Sequence, residues 1–323
     1  MRVWAVLALL TAAVFAMALA FGDQPVPPAE VLAALRGKAS PSAQMIVAGL
    51  RLPRAVMALL VGAALGASGA VAQAILRNPL AEPGLLGINA GAALAAVLVI
   101  IQLDGVPESL LPWLTFGGAL AMSAAIYALS WKQGTSSTRI ILIGIGLSSL
   151  AGAAASFVSA FGDAAAVQRA MVWLAGSLQD SRWERVRMLA AWSIPALLLA
   201  WAMARELDLI AFGDTVARGL GQRVNAVRGI AVLACALLSG AAVAASGLVA
   251  FVGLAAPHLA RRLLGHSHLR LVPGAALIGA LLVLSADLAA RNVMPPVQLP
   301  VGLFTALLGA PFFGWLLWRR RDG

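Results

Sequence analysis

Charge is what this sequence has least of. Of its 323 residues 11% are charged and 61% are hydrophobic, and the mean hydropathy is +0.92. A soluble domain carries about 25% charged residues, so this chain cannot cover a water-facing surface. The short alternating strands of a membrane β-barrel are absent as well. Cysteine is nearly missing: Cys235, inside an apolar run, excludes an intrachain disulfide and by itself makes no metal site, so a small core residue is expected there. The only lysines are Lys38 and Lys132, and neither follows a GxxxxGKS or GxxxxGKT loop. The chain is therefore not expected to hydrolyse ATP itself. Histidine is limited to His258, His266 and His268. The pair in "GHSH" does not share a helix face, and no cysteine or acidic cluster joins it, so neither a resident metal nor a catalytic base is expected.

What is present is apolar sequence. Many runs reach the roughly 20 residues needed to cross a bilayer as helix, where backbone groups must be satisfied internally. An all-α polytopic membrane protein follows, one transmembrane domain over 1–323 with about ten helices. They are expected near 3–21, 52–75, 85–103, 110–131, 139–161, 186–204, 226–246, 247–264, 271–291 and 298–318. Residues 3–22 also read as a signal peptide with "ALA" before Phe21, but only Arg2 precedes them, and a retained first span is favoured. Trp113, Trp131, Trp183, Trp315 and Trp318 fall near span ends, as interfacial anchors do.

The eighth run is short and holds Pro257 and His258. Charge argues for it. With ten spans most basic residues, among them Arg77, Lys132, Arg139, Arg218, Arg320 and Arg321, fall on one side; without the eighth the majority falls on the other. The positive-inside rule prefers the first arrangement, with both termini cytoplasmic. The net charge of +10 is then topology and lipid headgroup contact, not nucleic-acid binding.

The chain echoes itself. "GAALGASG" at 62–69 and "GAAVAASG" at 240–247 agree at six of eight positions, and the same offset lays Pro79 on Pro257. Duplicated halves are common in transporters. Two inverted five-helix repeats are expected, about 1–161 and 186–318. Gly62 with Gly66, and Gly87 with Gly91, are spaced for close helix packing.

Two stretches break the apolar pattern. In "RLPRAVMALLVGAALGASGAVAQAILRNPLAEPGLLGINAGAAL", 51–94, the polar residues Asn78 and Glu82, each followed by proline, end a helix. This is either a tight turn or irregular backbone that lines a cavity. The second is "ELDLIAFGDTVARGLGQRVNAVR", 206–228, a charged and glycine-broken segment between apolar runs. A loop this long in a compact protein usually has a function.

Together with "GLVAFVGLAAPHLARRLLGHSHLRLVPGAALIGALLVLSADLAAR", 247–291, and "LPVGLFTALLGAPFF", 299–313, the first stretch resembles the signature of the permease subunits of ABC importers for iron-siderophores, haem and cobalamin. The likeness covers nearly the whole chain in the family's order. "MVWLAGSLQDSRWERV" fits the siderophore branch better than the cobalamin branch. The resemblance implies a bacterial inner-membrane permease for an iron(III)-siderophore or ferric-citrate-like chelate, with haem or cobalamin as alternative cargo. It implies as partners a second permease, identical or homologous, two ATP-binding subunits and a soluble substrate-binding protein. No cofactor is then expected on this chain, because ATP and magnesium belong to the ATPase.

The resemblance also implies roles. Arg51, Arg54 and Arg291 match outward-facing arginines that meet acidic residues of the binding protein; such contacts orient carboxylates and speed encounter. Asn78 and Leu80 match residues that narrow the cytoplasmic end of the pathway, and Ser137 and Thr138 match a second constriction. Gly213, Asp214, Ala217, Arg218, Leu220 and Gly221 lie in the match to the helix that fits a cleft on the ATPase. There Asp214 suits a helix N-terminus, and Ala217, Leu220 and Val224 are expected to form an exposed apolar face. One departure is Gln298, where the family usually has Glu. The alternative class is an ion-coupled secondary transporter, which needs ionisable groups at mid-membrane. Asp287 is the one acid expected inside a span; it lies near an end and can equally have a structural partner.

Overall fold

The computed structural model describes residues 2–103, 105–294 and 297–319. Arg320 and Arg321, counted above toward the cytoplasmic side, and the side chain of Trp315 lie outside the described residues. The described residues are helical, without strands. In chain order the helices are α1 (Arg2–Ala20), α2 (Pro28–Leu35), α3 (Pro41–Gln44), α4 (Leu52–Leu76), α5 (Ile88–Gln102), α6 (Leu111–Leu129), α7 (Ser137–Ala160), α8 (Ala164–Leu174), α9 (Trp183–Ala202), α10 (Ala204–Ala211), α11 (Asp214–Gly219), α12 (Val224–Ser246), α13 (Val252–Leu264), α14 (His268–Asn292) and α15 (Val301–Arg319). A π-helical stretch, Met45–Arg51, joins α3 to α4 without a break, and a 3-10 turn, Pro83–Leu86, precedes α5.

Among the described residues, seven helical segments are long and apolar enough to cross a membrane: α1, Pro41–Leu76, α6, α7, α9, α12 and α14. Ile88–Gln102 and Val301–Pro311 are shorter apolar helices. The expected eighth span is shorter than its apolar run. Residues 247–251 are not helical, and α13 has 13 residues, about 20 Å at the α-helical rise, against a hydrocarbon thickness of about 30 Å.

Helices α4, α12 and α14 form the core, with 78%, 78% and 67% of their most apolar windows buried, whereas α1 and α7 bury 17% and lie at the periphery. Small residues explain how closely α4 and α14 approach. A Cβ at Gly62 would lie 2.1 Å from the Gly279 carbonyl oxygen, and one at Gly66 would lie 2.1 Å from that of Ala275. Without a hydrophobic drive between lipid-immersed helices, this close backbone packing supplies much of the attraction. The second glycine pair divides its work: Gly91 packs on Gly118 of α6, while Gly87 precedes α5 and abuts Ile126. Cys235 is fully buried and trades contacts with Ser68 across the α4–α12 seam, each side chain meeting the other's carbonyl.

Where helices break, backbone groups find backbone partners. Ser177 N–H donates to the Ser246 carbonyl (2.8 Å) and Gly302 N–H to that of Gly176 (3.1 Å). The ends of α8 and α12 and the start of α15 are thus joined with little side-chain volume between them. Buried irregular backbone persists only where protein satisfies it in this way.

Candidate functional site: a charge cluster at one end, a handle at the other

Side-chain contacts gather functional residues at the two ends of the bundle. The C-terminus of α1, the start of α4, the end of α14 and the residues before α15 meet at the end that the charge pattern assigns to the outside. Arg54 holds Asp287 through Nε (3.0 and 3.1 Å) and Nη2 (2.9 Å), and its Nη1 donates to the Gln298 side-chain oxygen at 2.6 Å. Arg291, one turn after Asp287, lies 3.9 Å from that carboxylate and donates to the Ala18 carbonyl. Arg51 donates to the carbonyls of Leu19 (2.9 Å) and Ala20 (2.8 Å), and to that of Gln24.

These contacts correct the expectation that the three arginines face outward. Arg51, Arg54 and Arg291 are 7%, 8% and 5% exposed. The cause is local. The last carbonyls of a helix have no partner within it, and guanidinium donors suit a helix C-terminus. Asp287, 1% exposed, needs a counter-charge at its depth. The residue that departs from the family's pattern has a place here too. The Gln298 amide accepts from Arg54 and donates to Asp23 at 3.2 Å. A carboxylate could do only the first.

At the opposite end, residues 206–228 fold as α10, α11 and the first turn of α12. Gly213 (φ 108°) and Gly221 (φ 85°) bracket α11 in backbone conformations that L side chains rarely adopt. The apolar face is not the expected one. Ala217 is fully buried and Val224 is 2% exposed, whereas Phe212, Val216 and Leu220 are 71%, 50% and 66% exposed. Within α11 the reason is periodicity: positions 216 and 220 are i, i+4 neighbours, while Ala217 turns toward the bundle; Phe212 is exposed at the end of α10, before the break at Gly213. Arg218 and Leu220 keep their exposed positions. Asp214 opens α11, but its carboxylate pairs with Arg228 at 2.6 Å.

The residues expected at the two constrictions fall beside residues 212–216. Asn78 Oδ1 accepts from Leu80 N–H at 2.9 Å, so the tight-turn reading describes its local role. Both side chains are half-buried. Ser137 Oγ donates to the Ile75 carbonyl at 2.7 Å, which places the second constriction against the end of α4, just before Asn78. Ser137 and Thr138 share a cavity of about 320 Å³ with Arg77, Gly213 and Asp214. The two proposed constrictions and the handle therefore occupy one region.

Sequence reasoning missed several residues here. Val216 could have been found by extending the i, i+4 pattern back from Leu220; Phe212, before the break at Gly213, could not. Arg228 carried no signal beyond topology, yet it is 0% exposed. Asp208 accepts from Ser267 Oγ (3.0 Å) and His268 N–H (2.8 Å) and contacts His268 Nδ1 (2.5 Å), so one histidine of "GHSH" is engaged in joining α10 to α14.

The model of the FecCD transport family matches residues 9–319. The chain is 39% identical over 322 residues to the iron(3+)-hydroxamate import system permease protein FhuG of Bacillus subtilis, covering 98% of this chain and 96% of that one. It is 42% identical over 282 residues to the hemin transport system permease protein HmuU of Yersinia pestis, covering 84% and 83%. Among solved structures, an inward-facing metal-chelate type ABC transporter superposes with a TM-score of 0.89 at 30% identity, covering 98% of this chain and 99% of that one.

Proposed function

The chain belongs to the FecCD transport family, and from that premise we propose that it is the permease subunit of an ATP-driven importer that carries an iron(III)-siderophore-type chelate into the cytoplasm. The observation that carries this reading is the exposed apolar set of Phe212, at the end of α10, with Val216 and Leu220 of the short glycine-bracketed segment that follows, beside Ser137 and Thr138. Apolar side chains at such exposure, rimmed by charge, mark a protein contact. The partner is an ATPase subunit, which binds ATP and magnesium; two of them serve two permeases. The peripheral helix α7, which exposes Leu142, Ile145, Leu150 and Phe157, leaves room for the second permease.

A soluble binding protein delivers cargo to the opposite end, around Arg51, Arg54 and Arg291. That cluster holds three guanidinium groups near the carboxylates of Asp23 and Asp287; each is at most 8% exposed, so its positive surplus would steer an acidic partner surface by its field rather than by direct contact. Ten crossings, counting α5, α15 and the non-helical 247–251 stretch together with α13 alongside the seven long segments, would leave both termini in the cytoplasm of a bacterial inner membrane. Reciprocal packing supports two inverted repeats: α4 lies on α14 as α12 lies on α6, and α5 lies on α6 as α13 lies on α14.

The ion-coupled alternative loses support because Asp287 is engaged by Arg54 at the end of its helix. The test is uptake. Vesicles holding the complete complex, supplied with its binding protein and internal ATP, should accumulate ferric hydroxamate or ferric citrate. Accumulation of hemin alone would reassign the cargo, and uptake driven by an ion gradient without ATP would overturn the class.

A further inference from the structure

We propose that Arg228 is the positioning residue that makes the ATPase handle and the inner constriction move as one body. The inference rests on the proposed roles of residues 206–228 and of Ser137 and Thr138.

Arg228 lies one turn into α12 and is completely buried. Its two terminal nitrogens serve two different elements. Nη2 meets Asp214, the first residue of α11, at 2.6 Å. Nη1 donates to the carbonyl (2.8 Å) and hydroxyl (3.2 Å) of Thr135 in the α6–α7 connection. Asn225, on the same face of α12, adds to the grip: its Oδ1 accepts from Thr135 N–H at 3.2 Å. Two residues after Thr135, Ser137 bonds the Ile75 carbonyl at the end of α4. The connection that carries Thr135 is itself stiffened by Arg139, whose Nη1 donates to the carbonyls of Ser130 (2.9 Å) and Gly134 (3.0 Å).

A continuous set of polar contacts thus runs from the handle to the constriction, with Arg228 touching both the α11 carboxylate and the α6–α7 backbone. The buried charge of Arg228 is paired with Asp214 and its Nη1 is bonded to Thr135, while Nε has no hydrogen-bond partner among the described residues; a buried charge that loses its pair is strongly destabilising. That makes the joint stiff: displacing Asp214 without Thr135 would strand the charge. A planar fork can satisfy two elements at once, which a lysine ammonium on one nitrogen does poorly. Contiguity alone does not establish transmission, so the test must separate holding the ATPase from moving the constriction.

The complex is purified with its ATPase after introducing Thr138→Cys, an exposed position; native Cys235 is buried and stays silent. The rate of N-ethylmaleimide labelling is measured with and without ATP plus orthovanadate. The parent should change rate by roughly fivefold or more between the two states. Arg228→Gln should keep the ATPase bound and hydrolysing, and lose most of that change. If Arg228→Gln does not assemble, Arg228→Lys decides: it keeps a charge for Asp214, and should assemble, hydrolyse ATP and lose at least half of the response. A bound ATPase with the parent's full response in these variants overturns the role of Arg228. A parent that brings down no ATPase overturns the handle reading instead, and a parent with ATPase but no rate change overturns the constriction reading; the proposal falls with either.

Discussion

Arg54 and Asp287, 233 positions apart in the chain, meet at 2.9–3.1 Å where α4 begins and α14 ends. The pair fixes the outer end of the close α4–α14 contact that Gly62 and Gly66 allow. It also turns two residues that sequence offered as functional candidates into partners of one another.

Both side chains are buried, so removing one leaves the other uncompensated. Asp287→Asn should destabilise the chain by ~3–5 kcal/mol, seen as a lower unfolding midpoint in detergent. The double replacement Arg54→Met with Asp287→Leu should cost less than Asp287→Asn. Additive losses would show that the two side chains act independently.

Gln298→Glu tests the departure from the family's pattern. The change keeps an acceptor for Arg54 and gives up the bond to Asp23, which is solvent-exposed. The midpoint should move by less than ~1 kcal/mol in equivalent stability. A loss as large as that of Asp287→Asn would mean that the amide's second bond holds the outer end together.

Gly62→Val drives a side chain into the Gly279 backbone and should cost at least ~1–3 kcal/mol. Gly146→Ala, on α7 with no heavy atom within 4 Å of an added Cβ, should leave the midpoint of the isolated chain unchanged. Equal effects at the two sites would contradict the core and periphery assigned to α4 and α7.

Leu220→Glu should release the ATPase while the permease stays folded, because Leu220 is exposed; pull-down against the purified ATPase measures it. Ala217→Glu should instead unfold the handle, since that position is buried. Retention of the ATPase by Leu220→Glu would remove the stripe from the interface.

Sequence composition and apolar run length carried most of the architecture, because a helix crossing lipid must be long and apolar regardless of its neighbours. They failed at α13, where the apolar run continues through a non-helical segment. A run of hydrophobic residues does not reveal where the backbone unwinds when protein, not lipid, surrounds it. At the handle, Gly213 and Gly221 marked the helix ends correctly, but the apolar face was misplaced. Ala217 and Leu220 look alike in hydropathy, and only the phase of α11 against α12 separates them. The arginines at 51, 54 and 291 were findable by type and position. Their burial was not, because the partners (carbonyls of α1 and Asp287) lie tens to hundreds of residues away. Arg228 was hidden for the same reason: its place at the start of an apolar run read as a topology signal, and Thr135 gave no cue.

The central claim is that this permease is driven by a separate ATPase gripping residues 206–228. The most direct measurement is gentle purification of the tagged protein from its own cells, with quantitative mass spectrometry of what accompanies it. An ATPase bearing a Walker motif should accompany it in near-equal amount, and be lost when Leu220 is changed to Glu. A pure permease with no ATPase, even after crosslinking at residues 212–224, would contradict it.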